Sequence, residues 1–450
     1  MSAEVKAFFK KHGFVMEDYE PEKIADALMK DMEKGLKTEK SADNPNSSNQ
    51  DMIPTWMTLP EGHIKNSSVI VIDAGGTNFR SSLVTFDSEA KPSVSDFEKT
   101  SMPGIERELS KKEFFDQIAK NLEHLKNKAS RIAFCFSYAM KITSEGDGQV
   151  LNFAKEIKAS EVIGSYVGKE LSATLVEHGW NKPEKIVLLN DTVAALLAAT
   201  PELATGKNYG TFVGFILGTG MNSAYLEQSV NIKKLELDKT LIKDVFPENQ
   251  IVVCESGKFN GLPMTDFDKE LDDASTCPGM YRMEKQCSGA YLGPLCMYAL
   301  KAAAKDGLFD SDSALKNKIL GLPKLELIQV GKFLDNPLAS DNIFSDVKDV
   351  RLKEILFEIC DYFVERSARL SSGILLASVL KADTSKMKDN RMNCACISCD
   401  GTTLLKTYKL KSRIEALLYQ YLTLKHGISF ETVAIENPIT IGTAMAAFGI

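Results

Sequence analysis

Two hydrophobic periods alternate along this chain. Short apolar runs end at glycine or at a carboxylate, and between them apolar residues recur every third or fourth position, so strands and helices interleave over most of the length. An α/β fold follows. The opening MSAEVKAFFKKHGF mixes acids and lysines with apolar positions and reads as an amphipathic helical arm that continues, with breaks, to Lys37. The polar stretch TEKSADNPNSSNQ comes next as a linker. Ser110 and Glu113 form a capping box ahead of Phe114, Ile118, Leu122 and Leu125, which predicts a helix over 111–128. A strand over 131–137 delivers Ser137 to its end, and the run Ile186 to Leu189 closes a first α/β unit. A second unit opens at Tyr209, with helices over 283–306 and 350–381 and a strand over 394–398.

The chemistry-bearing turns sit where strands end. In VIDAGGTNFR, Asp73 precedes Gly75 and Gly76, which let backbone N–H groups converge on an anion without a Cβ in the way. Thr77, Asn78 and Arg80 add side-chain donors. Taken alone, this is also what a glycine-rich hairpin looks like. The segment GFILGTGMNSAYLE repeats the arrangement at Gly218, Thr219 and Gly220, so the chain reads as internally duplicated. Between the two lies KIVLLNDTVAALLAAT, where a buried strand ends in Asn190 and Asp191 and a helix follows at once. Asp191 reads either as a helix N-cap or as a carboxylate delivered to the mouth of an open sheet, and both hold together.

Composition narrows the classes. With 450 residues and 44% hydrophobic content the chain is large enough for two cores, since one core rarely grows beyond about 250 to 300 residues. A net charge of −7 disfavours nucleic acid or an anionic membrane as partner, and no run approaches the roughly 18 apolar residues of a membrane span. Nine cysteines scattered through apolar segments, and an N-terminus without the apolar core of a signal peptide, lead to the expectation of a cytoplasmic protein with reduced thiols. Cys394, Cys396 and Cys399 lack a second ligand pair at zinc-like spacing and read better as a half-buried strand. His12, His63, His124, His178 and His426 are dispersed, with surface positions expected for each and no nucleophile motif nearby.

Five segments in order, VIDAGGTNFR, LLNDTVAALLA, ILGTGMNSAYLE, CESGKFNGLPMTDFDKELD and PGMYRMEKQCSGAYLG, resemble the hexokinase family, from about Met52 to the C-terminus. The resemblance implies two actin-like, ribonuclease-H-like domains, a small and a large one, with the active site in the cleft between them. It divides the chain into an arm and linker over 1–66, a small domain over 67–190, a large domain over 191–440 and a C-terminal helix over 441–450 returning towards the small domain. It also implies phosphate transfer from ATP to a hexose, with Mg²⁺ carried by the ATP and no dedicated metal cage.

Residue by residue, the resemblance makes Asp191 the catalytic base, with Lys155 and Arg80 stabilising charge. Ser137, Lys155, Asn190, Asp191, Asn222, Glu255 and Glu284 would surround the sugar, each buried hydroxyl needing a partner. Asp73, Gly75, Gly76, Thr77, Asn78 and Arg80 would serve one set of phosphates and Gly218, Thr219 and Gly220 another, with Gly401, Thr402 and Gly442 in the late phosphate and adenosine segments. Asp73 and Asp191 are the expected outer-shell partners of the Mg²⁺. Two sugar segments depart from the family pattern. Ser137, Tyr138 and Ala139 stand where the family usually has Ser-Phe-Pro, and Phe153, Ala154, Lys155, Glu156 and Ile157 where it has Trp-Thr-Lys-Gly-Phe. Glucose is the first expectation as acceptor, with mannose, fructose and glucosamine behind it. A catalytically silent sugar sensor and an ATPase with water as acceptor are the competing readings on the same fold.

Overall fold

The continuous apolar run Val69 to Ile72 in SSVIVIDAG and the near-alternating NFRSSLVTF close as an antiparallel hairpin in the first sheet. In this computed structural model, which describes residues 1–39, 47–60, 64–153, 157–200, 209–235, 247–382 and 394–449, a short strand β1 (Ile53–Pro54) precedes it. The hairpin is β2 (Ser67–Gly75) and β3 (Asn78–Phe86), followed by β4 (Pro92–Ser101) and β5 (Arg131–Phe136). A separate small hairpin, β6 (Ala139–Ile142) and β7 (Gly148–Asn152), intervenes before β8 (Lys185–Leu189). The sheet runs β4-β3-β2-β5-β8, antiparallel through β2, β3 and β4 and parallel through β2, β5 and β8.

The second sheet repeats this plan. Its strands are β9 (Tyr209–Leu217), β10 (Met221–Gln228), β11 (Asn249–Val253), β12 (Cys394–Asp400) and β13 (Phe430–Val433). They stand in the order β11-β10-β9-β12-β13, with β1 added outside β11. Again an antiparallel meander meets two parallel strands. The duplication seen in two glycine turns is therefore a duplication of a whole five-strand topology.

Helices cover three faces. The outer face of the first sheet packs on Lys111–Asn121 and Val167–Glu177 through Ile70, Phe134, Phe114 and Leu171. On the outer face of the second sheet lie the long helix Val350–Lys381, the helix Gly289–Lys305 and the N-terminal arm. The arm forms as expected, in pieces Ala3–Lys11, Met16–Tyr19 and Pro21–Lys37. Its clamp is Arg366, fully buried, which makes two 2.8 Å bonds to Asp268 and lies over the rings of Phe14 and Tyr19. Between the sheets, Asp191–Leu197 and Pro438–Ala446 share one apolar cluster with Val71 and Val187 of one sheet and Phe212 and Ile251 of the other.

Several local expectations change. The capping box of Ser110 and Glu113 is present, but the helix it starts ends at Asn121 and a 3₁₀ turn, Glu123–Leu125, follows. The helix expected over 283–306 is two helices, Arg282–Cys287 and Gly289–Lys305, because Ser288 turns extended and binds the Thr219 carbonyl through its hydroxyl. β12 is buried on both faces rather than one: Ile397 and Cys399 enter the outer core and Cys396 the central one. That is normal for a strand with parallel neighbours on each side. His12, His124 and His178 are half-buried against carboxylates instead of free on the surface, His426 is exposed, and His63 lies outside the described residues.

The C-terminal helix expected over 441–450 begins earlier, at Pro438, which takes Gly442 away from its start. That glycine lies in the helix interior, buried, where a Cβ would stand 1.7 Å from the Ala194 carbonyl oxygen of the neighbouring helix. Alanine is the better helix former by about 1 kcal/mol, yet overpacking against backbone costs roughly 1 to 3 kcal/mol or more. Gly442→Ala should therefore lose about 2 kcal/mol of stability in denaturant titration. A neutral or stabilised variant would show that the two helices separate freely.

Candidate active site

The tip of the β2–β3 hairpin is the pair Gly76 and Thr77, with Gly75 paired to Asn78. Gly76 has φ +60 and open space around it, so glycine serves backbone conformation there, as at the first central position of a II′ hairpin turn. Gly75 serves close approach: its Cβ would come 3.2 Å from that of Ser137. Asp73 and Arg80 are direct cross-strand neighbours, joined by a 2.8 Å bond. Burial raises the Asp73 carboxyl above its ordinary range, and Arg80 offsets part of that. Arg80 is thus already engaged with Asp73 and does not project from the turn as an unpaired donor.

At the end of β8, the N-cap is Asn190 rather than Asp191. The Asn190 backbone is extended and its Oδ1 accepts the Thr192 N–H at 2.8 Å, which leaves Asp191 as the first helical residue. Asn and Asp cap comparably well, so the neighbouring pair was ambiguous. The half-buried Asp191 carboxylate accepts from the Thr192 hydroxyl at 3.1 Å. Its pKa is pushed up to about 6, mainly by burial, with the Thr192 hydroxyl pulling it down and the carboxylates of Glu255 and Asp73 adding to the rise.

Glu255 follows β11 with φ 58, a left-handed conformation that a non-glycine residue adopts only under local strain. Asn222 holds it from two sides: its Nδ2 donates to Glu255 Oε1 at 2.8 Å and its Oδ1 accepts the Glu255 N–H at 2.9 Å. Glu284 accepts the Met221 N–H at 3.0 Å and approaches Gly220 so closely that a Cβ there would stand 2.7 Å from its Oε2. Burial raises the Glu284 carboxyl as well. Lys258 answers this negative cluster with contacts of 3.3 Å to Glu255 and 2.5 Å to Asp51. Burial alone would lower its pKa, but those two carboxylates raise it.

Two cavities result. One, of about 330 Å³, is lined by Ser137, Tyr138, Asn190, Glu255, Lys258 and Tyr281, among others. Another, of about 570 Å³, joins Thr219 to Thr402, Thr403, Leu327, Ile328 and Tyr408. Beside it Gly401 has φ +111 and sits so close to Leu217 and Gly218 that a Cβ would come within 2.3 Å of the Leu217 carbonyl. A larger side chain at Gly401 would collide with the second glycine turn.

The sequence candidates are largely brought together. Ser137, Asn190 and Glu255 share the first cavity, Asn222 is bonded to Glu255, and Asp191 interacts electrostatically with both Glu255 and Asp73. Gly218, Thr219, Gly220, Gly401 and Thr402 gather at the second turn and cavity. Gly442 stands apart as a packing residue, and Lys155 lies outside the described residues. Sequence reasoning missed Asp51, Lys258 and Tyr281, although Lys258 follows Glu255 at the i, i+3 spacing of facing side chains. It also missed Leu327 and Ile328, which carry no chemical signature of their own. Among the described residues, no group of three or more His, Cys, Asp or Glu side chains could hold a metal ion, and no helix is long and apolar enough to cross a membrane.

A repeated five-strand topology with a glycine turn at the head of each unit defines the two-domain, actin-like class of ribonuclease-H-like proteins. The chain belongs to the hexokinase family, and it is a hexose kinase. Hexokinase family models match residues 8–200 and 212–449. Among curated relatives, Hexokinase-1 of Schizosaccharomyces pombe is 28% identical over 94% of this chain and 86% of its own length. Glucokinase-1 of Kluyveromyces lactis is 28% identical over 83% of each. The solved structure of a hexokinase from Schistosoma mansoni complexed with glucose superposes with a TM-score of 0.72 at 22% identity, covering 99% of this chain and 100% of that one. A further hexokinase crystal structure gives a TM-score of 0.79 at 20% identity, covering 99% of each chain.

The raised pKa of Asp191 carries a stability cost with a definite sign. Its folded value, about 6, exceeds the ordinary 3.8, so the folded state binds the proton more tightly and the penalty for ionisation is fully present above pH 6 and gone below about 4. Asp191→Asn should accordingly raise the unfolding free energy at pH 7.5 by at most about 3 kcal/mol, with the gain vanishing towards pH 4. Denaturant titrations at both values measure it. An equal effect at pH 4 and 7.5 would mean that the carboxylate is not held in an unfavourable site.

Proposed function

We propose that this chain transfers the terminal phosphate of ATP to the 6-hydroxyl of a hexose, glucose before mannose, fructose or glucosamine, giving hexose 6-phosphate and ADP. The observation that carries the reading is Asp191, a carboxylate with a pKa of about 6 beside a cavity of hydrogen-bonding groups. A general base works best when its pKa lies near the working pH and its direction is fixed. Asp191 would take the proton of the acceptor hydroxyl, its orientation set by the Asn190 cap and the Thr192 hydroxyl.

Ser137, Asn190, Asn222, Glu255 and Glu284 would pair the sugar hydroxyls, and the strained Glu255 is pre-oriented by Asn222 before any ligand arrives. Lys155 and Arg80 would balance developing negative charge. The turn of Gly75 to Asn78 would take one set of phosphates and that of Gly218 to Gly220 another, with the adenosine end of ATP in the cavity by Thr402 and Ile328. Mg²⁺ bound with ATP supplies charge neutralisation on the phosphates. Asp73 and Asp191 suit its outer shell better than direct ligation, since Asp73 already pairs with Arg80. Residues 67–190 would form the small domain and 191–440 the large one, with 1–66 as arm and linker and 441–450 returning to the small domain. A cytoplasmic setting agrees with this chemistry.

The test is an ADP-coupled assay over a panel of hexoses with wild-type protein and Asp191→Asn. Turnover should appear with at least one hexose, fall on the order of 10² to 10⁴ in the variant, and leave sugar binding in place. In the wild type, kcat/KM should drop about tenfold per pH unit below pH 6, because only the ionised carboxylate accepts a proton. A folded Asp191→Asn protein with near-normal turnover would remove Asp191 from the base role. ADP release independent of any sugar would favour water as acceptor.

A further inference from the structure

Both glycine turns share a feature that their sequences do not reveal: the carbonyls at their tips are bonded to groups from elsewhere in the chain. In the second turn, the Gly218 oxygen accepts the Gly289 N–H and the Thr403 hydroxyl, each at 2.8 Å. The Thr219 oxygen accepts the Ser288 hydroxyl at 2.8 Å and the Ala290 N–H at 3.2 Å. In the first turn, the Thr77 oxygen accepts the Met102 N–H at 3.1 Å and the Gly76 oxygen accepts the Tyr138 hydroxyl at 2.7 Å. A trans peptide is planar, so a carbonyl fixed in one direction points the N–H of the next residue the opposite way.

We propose that Tyr138 is a positioning residue for the phosphoryl donor, its hydroxyl holding the Gly76–Thr77 peptide so that an N–H, and not a carbonyl oxygen, is presented to the anion. Gly76 has no atom within 4 Å of where a Cβ would stand, so sterics at that residue do little to oppose rotation of this peptide. Thr77 resists it, because the flipped turn needs positive φ at a β-branched residue. The Tyr138 hydroxyl adds the second restraint. Its ring is held in turn by Phe136 at 4.8 Å and Phe153 at 5.3 Å between centroids. Tyr138 is also one of the residues that line the cavity with Ser137, Asn190 and Glu255. One residue therefore borders the acceptor cavity and holds the donor turn with its hydroxyl.

The inference rests on reading the Gly75–Asn78 turn as a phosphate cradle. Tyr138→Phe keeps the ring and removes only the hydroxyl, so the experiment compares this variant with wild type in steady-state kinetics and in calorimetric binding of a non-hydrolysable ATP analogue. The expected result is a two- to twelvefold rise, roughly the range of one neutral hydrogen bond, in both KM for ATP and Kd for the analogue, with KM for the hexose changed less than twofold. A purely structural role would move both substrates together. Unchanged ATP constants, or equal shifts for ATP and hexose, in a wild-type-active background overturn this inference alone. A wild-type protein that binds no ATP analogue overturns the cradle reading along with it.

Discussion

The helix Asp191–Leu197 is held by backbone contacts too close for any side chain, and the site hangs on that restraint. On one side Gly214 of β9 faces it, where a Cβ would come 2.6 Å from the Thr192 carbonyl oxygen. On the other, Gly442 of the C-terminal helix lies against Ala194. Packed interiors transmit strain because they have little void to absorb it. With glycine backbones on both flanks, the helix has a fixed depth between the two sheets, and its first residue carries the carboxylate to a fixed height at the sheet edges. Gly442, which the family resemblance puts in the adenosine segment, is in the fold a close-packed helix residue against Ala194.

That placement concentrates negative charge. Asp191 feels both Asp73 and Glu255, and Glu284 feels Glu255 in turn. Such a group of acids survives because each has local partners: Arg80 for Asp73, Asn222 and Lys258 for Glu255, the Met221 N–H for Glu284 and the Thr192 hydroxyl for Asp191. The partners differ in kind. Arg80 and Lys258 bring full positive charge to Asp73 and Glu255, whereas Asp191 has only a neutral hydroxyl and a helix N-terminus beside it. Burial therefore pushes its pKa up to about 6, into the range where a carboxylate exchanges protons near neutral pH.

What the sequence reveals follows from where the determining interactions lie. The hairpin at Gly75–Asn78, the Ser110 capping box and the helix Val350–Lys381 are set by local pattern and were legible. The break at Ser288 was not, because it depends on bonds to Gly218 and Thr219, about seventy residues earlier. Asn190 and Asp191 exchanged roles because two good caps stand side by side. The acids Glu255 and Glu284 could be picked out by motif, whereas Lys258 and Asp51, which set the charge of the same cavity, meet only through the fold.

Tyr138 shows how a departure from a family pattern can be informative in itself. At sequence level the replacement of Ser-Phe-Pro by Ser137, Tyr138 and Ala139 reads as drift in a sugar segment. In the fold, the added hydroxyl reaches across to Gly76 and supplies for the first turn the kind of carbonyl restraint that Ser288 and Thr403 hydroxyls supply for the second. A turn that is to bind an anion must keep its oxygens turned away, and glycine, which permits the approach, cannot by itself prevent the flip. If the Gly75–Asn78 turn is the phosphate cradle proposed above, flexibility at Gly76 and restraint from Tyr138 are complementary requirements of the same small loop.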